Sequence, residues 1–98
     1  MIEQFRKWID SYSNYISDMG ITQVELYENK MSDGEIASLV VTHETSQYIG
    51  QITVRNDGHI DIEVLSITTN EIEFYIYLMA QKYFDLEIIL KLYIDYIK

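Results

Sequence analysis

Between Gln47 and Met79 an apolar residue recurs at almost every second position. Ile52 and Val54, then Ile60, Ile62 and Val64, then Ile72, Phe74, Ile76 and Leu78 make three alternating runs, the period of strands that turn one face to a core. Turn chemistry separates them, because Asn56-Asp57-Gly58 tolerates positive φ and Thr68-Thr69-Asn70 has the length of a short hairpin loop. The pattern predicts an antiparallel meander with its aliphatic residues on one face and Thr53, Arg55, Asp61, Glu63, Glu73, Tyr75 and Tyr77 on the other.

The flanking segments follow other periods. Ile2, Phe5, Trp8, Ile9, Tyr12, Tyr15, Ile16 and Met19 recur at steps of three and four, predicting an amphipathic helix with Gly20 as its stop and the aromatic stripe Phe5, Trp8, Tyr12, Tyr15 packed in the core. Thr22 to Glu28 alternates, with Val24 and Leu26 on the apolar side, and predicts a first strand. The run EIASLVVTH is apolar at consecutive positions, which suggests a central strand partly covered on both faces. The last third reads either as one long helix capped by Asn70 or as a strand followed by a helix. Alternation over residues 72 to 78 favours the strand, with residues 71–79 pairing with 59–67. Leu86, Ile89, Leu90, Tyr93 and Ile97 then keep helical spacing, with Asp85 either capping that helix or favouring its positive N-terminal end. The expected fold is α+β: an N-terminal helix, a five-stranded antiparallel β-meander and a C-terminal helix, both helices on one face of the sheet.

Composition narrows the function. A chain of 98 residues supports one core, so residues 1–98 are read as a single domain. With 7 Lys and Arg against 16 Asp and Glu, the net charge of −9 argues against tracking nucleic-acid phosphates directly and suits a basic partner or plain solubility. The absence of Cys fits a reducing compartment, and MIEQFRKWID has neither a signal-peptide apolar region nor a membrane span, so a cytoplasmic location is expected. His43 and His59, near predicted strand ends, read as solvated, and neither their spacing nor the acids Asp57, Asp61 and Glu63 match a metal signature. The four glycines are isolated and form no phosphate-binding loop. Neither a catalytic set, a metal nor a cofactor is expected.

What remains is the outward sheet face. Asp61, Glu63 and Glu73, interleaved with Tyr75 and Tyr77, form a candidate partner-binding patch. Acids steer a basic partner, and tyrosine rings offer contact area at low entropic cost. An exposed sheet kept soluble by its acids is the alternative meaning of the same pattern.

The stretch GQITVRNDGHIDIEVLSITTNEIEFYIYLM with the short terminal helix resembles the small immunity proteins of bacterial contact-dependent growth inhibition. The likeness lies in the strand around Thr53-Val54, the Asn56-Asp57-Gly58 turn, the Ile62-Glu63-Val64 strand centre and the Thr69-Asn70-Glu71 turn. It is nearest to those paired with tRNA-cleaving toxins that use elongation factor Tu. The resemblance implies a cytoplasmic, non-catalytic protein that binds the C-terminal domain of a cognate toxin, a basic nuclease; the acidic charge and the lack of an apolar span add the expectation of no direct contact with nucleic acid or membrane. The other function open at this point is a small-ligand or regulatory domain with its pocket between sheet and helices.

Overall fold

The structure is a computed structural model that describes residues 1–80 and 86–98 in full and the backbone of 83–85. Helix α1 (Ile2–Asp18) leads into strands β1 (Thr22–Lys30), β2 (Ile36–Glu44), β3 (Tyr48–Arg55), β4 (His59–Ser66) and β5 (Ile72–Met79), followed by helix α2 (Tyr83–Ile97). All strands pair antiparallel in the order β1-β2-β3-β4-β5. Residues 72–79 are therefore a strand paired with β4, as their alternation predicted, and not part of a long helix. Because α2 begins at Tyr83, Asp85 falls in its first turn and is not the cap; its side chain lies outside the described residues.

Helix α1 ends where Gly20 takes φ +80. The Gly20 N–H then donates to Ser17 O and the Ile21 N–H to Ile16 O, both at 3.0 Å, with buried Ile16 and Ile21 as the matching apolar pair. The chain thereby enters the sheet at a fixed angle.

One face of the sheet meets both helices. Leu39, Val41, Ile52, Val54, Ile60, Ile62 and Val64 are fully buried against Phe5, Trp8 and Ile9 of α1 and Leu86, Leu90 and Tyr93 of α2. Strand β2 is an interior strand with its outward Val40 and Thr42 half-buried, although the central place belongs to β3.

Three sequence expectations change. Of the aromatic stripe, Phe5 and Trp8 are buried but Tyr12 and Tyr15 are exposed, because helical period identifies a face without saying how far its neighbours reach. Val24 and Leu26 of β1 are also exposed. Two helices of about 10 Å diameter span roughly four strand spacings, so a five-stranded sheet leaves one edge strand beyond them; α1 reaches β1 through an ion pair between Arg6 and Glu28. Finally, Ile72 is exposed because a bulge breaks the β4–β5 register between Val64 and Leu65, which sets Ile72 opposite outward-facing Leu65.

Candidate functional site: the open sheet face

The face opposite the helices carries side chains in cross-strand rows. Asp61 stands directly opposite Tyr77 and Glu63 opposite Tyr75. Through Thr53 and Val40 the first row continues to Tyr27, and through Gln51 and Thr42 the second continues to Glu25. Period-two alternation on all five strands brings these groups together, since residues in direct register share a face. Tyr75 is 54% exposed and Tyr77 56%, far from the burial such rings reach in a core.

The electrostatics of this face follow from the register. Partial desolvation, then the nearby Asp61 and Glu63 carboxylates and Tyr77, raise the Tyr75 hydroxyl above the usual phenol value, so at neutral pH it remains a proton donor. At the turn end, His59 stacks on Tyr77 with ring centroids 5.8 Å apart and planes at 25°. Its Nδ1 lies 2.9 Å from Asp57 Oδ2, and its backbone N–H donates to Asp57 Oδ1 at 3.0 Å. That backbone bond is the main reason the Asp57 carboxyl is held below the usual carboxylate range, with the side-chain bond second.

Glu73 stands apart from the other predicted residues. As the extra residue of the bulge it breaks the alternation, and its Oε1 accepts a 3.0 Å bond from the Tyr96 hydroxyl of α2. Asp61, Glu63, Tyr75 and Tyr77 thus form one array, while Glu73 is engaged by the helix layer. On that layer, a cleft of about 380 Å³ runs between α1 and α2, lined by Trp8, Tyr12, Tyr15 and Lys91 among others.

The family model of immunity protein TriTu matches residues 3–96, nearly the whole chain. The chain belongs to the TriTu immunity protein family. Comparison with curated proteins and with solved structures gives no match. Membership in an immunity-protein family supports a toxin-neutralising, non-enzymatic role and implies a cognate toxin as partner. Among the described residues of this TriTu family member, no group of three His, Cys, Asp or Glu is arranged to hold a metal, and no helix is long and apolar enough to cross a membrane.

Beneath α2, the sequence pattern misled about one further residue and passed over another. His43 is fully buried, not solvated; its Nδ1 lies 2.8 Å from Tyr93 Oη, and its Nε2 has no hydrogen-bond partner among the described residues. Desolvation by burial pushes its pKa down to about 4 and pushes the Tyr93 hydroxyl well above the usual phenol range. The signal was present: His43 continues the inward series Leu39, Val41 at period two, which outweighs its place near the strand end. Gly50, inward with Ile52 and Val54, is the site over which Tyr93 lies.

Proposed function

We propose that this TriTu immunity protein neutralises its toxin by laying the open sheet face over a basic surface of the toxin's C-terminal domain. The observation that carries the reading is the direct pairing of Asp61 with Tyr77 and Glu63 with Tyr75 on a face left bare by both helices. A domain that cleaves tRNA must offer a cationic concavity to phosphates, and carboxylates interleaved with amphipathic rings match it in charge and in contact chemistry. The net charge of −9 adds a long-range field of the right sign. In this reading the toxin is the nuclease of a contact-dependent growth inhibition system, and the encounter takes place in the cytoplasm of the cell being protected.

Two sets of variants test it by kinetics against the cognate toxin domain at two salt concentrations. Asp61→Lys with Glu63→Lys should slow association by about ten- to a hundredfold at low salt and flatten its salt dependence, because steering acts on encounter. Tyr75→Ala or Tyr77→Ala should act on dissociation, costing about 1 to 3 kcal/mol if the ring is a central anchor. All four side chains stand on the exposed face, so circular dichroism of the variants should match the parent. Unchanged rates in both sets would overturn the proposal and move the search to the α1–α2 cleft, whose volume also suits a small ligand.

A further inference from the structure

Strand β1 is anomalous in this fold. Its nine residues, Thr22–Lys30, contribute nothing to the buried core, whereas the opposite edge strand, β5, packs Phe74, Ile76 and Leu78 against it. Val24 is 51% exposed, Leu26 42% and Tyr27 53%. Ordering a backbone costs about 1 to 2 kcal/mol per residue, and β1 offsets that cost by pairing with β2 and by the Arg6–Glu28 ion pair to α1, without burying an apolar side chain. Edge strands of native proteins are usually shortened, covered or charged against further pairing. Here bulges interrupt the register at Gln23/Glu25 and at Asn29/Lys30, but Glu25 to Asn29 pairs regularly with Thr42 to Ser38 between them. That segment offers an extended free edge with apolar side chains on both faces, Leu26 toward the helix side and Tyr27 toward the open face.

We infer that the free edge of β1 takes an extended segment of the cognate toxin as a sixth strand, with a basic side chain of that segment beside Glu25. This rests on the toxin-binding reading above and adds to it where the backbone joins. Charge selects the occupant. Glu25 is exposed, with no side-chain hydrogen bond or ion pair among the described residues, whereas Glu28, on the opposite face, is tied to Arg6. A second copy of this chain would bring a further net charge of −9 to the edge, and carboxylates facing each other across strands are destabilising. A basic residue next to two consecutive apolar ones meets Glu25, Leu26 and Tyr27 in turn. The docked strand also continues the open face, because Glu25 lies in the same row as Thr42, Gln51, Glu63 and Tyr75.

Amide hydrogen exchange, read by NMR on the labelled chain alone and saturated with the cognate toxin domain, tests this. In an antiparallel sheet alternate N–H groups point to opposite neighbours. The expected result is therefore exchange about tenfold slower or more at every second amide between Glu25 and Asn29, the intervening amides already being bonded to β2. Uniform slowing along β1, or no change while toxin is bound, overturns the sixth strand and leaves the open-face reading to stand on its own kinetics. Alternating protection that appears on raising the concentration of this chain without toxin assigns the edge to self-association and overturns the proposal. Absence of any complex overturns both readings together.

Discussion

Gly50→Ala is expected to destabilise the fold by about 3 kcal/mol, more than a hundredfold in the folding equilibrium. Glycine to alanine in a strand ordinarily stabilises by a few tenths to 1 kcal/mol, through the unfolded chain, so the sign itself is diagnostic. An added Cβ would lie 2.6 Å from Ile97 Cδ1 and 2.8 Å from Tyr93 Cε1, and closest of all to Tyr93 Oη. Retreat is blocked, because Tyr93 is fully buried and its hydroxyl is held by His43. Urea unfolding measures the cost, and the pair Gly50→Ala with Tyr93→Phe locates it. Removing the nearest oxygen should make the double variant less destabilised than the sum of the singles by about 1 kcal/mol or more. A Gly50→Ala protein as stable as the parent would mean that α2 does not sit against β3 in this way.

Acid should weaken the fold through His43. Its pKa is lowered from the ordinary 6.5 to about 4 in the folded protein. Between those values the unfolded chain binds a proton that the folded one refuses. This contribution to stability is therefore whole above pH 6.5 and is lost as pH falls toward 4, with a slope of up to about 1.4 kcal/mol per unit and a total of about 3 kcal/mol. Burial is the structural reason, since beneath α2 a charged imidazolium would be stripped of its hydration. Urea unfolding of the parent and of His43→Gln at half-unit steps from pH 7.5 to 4.5 isolates it, because the carboxylates titrate alike in both proteins. The variant should start less stable at pH 7 and lose less on acidification; equal slopes in the two proteins would contradict a buried neutral imidazole.

What the sequence disclosed and what it withheld divide along physical lines. Alternation in β3, β4 and β5 reported the strands, their order and their buried face, because a period of two has one structural meaning when turn residues punctuate it. The same alternation carried Asp61, Glu63, Tyr75 and Tyr77 to one surface. Glu73 and Ile72 escaped it, since a bulge adds a residue to the backbone without leaving a mark in the hydrophobic pattern. The exposure of β1 and of Tyr12 and Tyr15 depends on how far two helices extend across a sheet, a tertiary quantity that no local window contains. His43 was legible by period but was judged by its closeness to a turn.

Interleaving on single strands also bears on how such a protein can change. In β4, the core residues Ile60, Ile62 and Val64 alternate with Asp61 and Glu63, so the residues that fold the chain and those proposed here to meet a toxin occupy even and odd letters of the same word. Substitutions at the outward letters alter the surface offered to a partner without entering the packed interior. An inhibitor built this way can follow a drifting target one outward position at a time while its inward text stays unedited. Under α2 that freedom narrows, because Gly50, His43 and Tyr93 touch one another and a change at one is felt by the others.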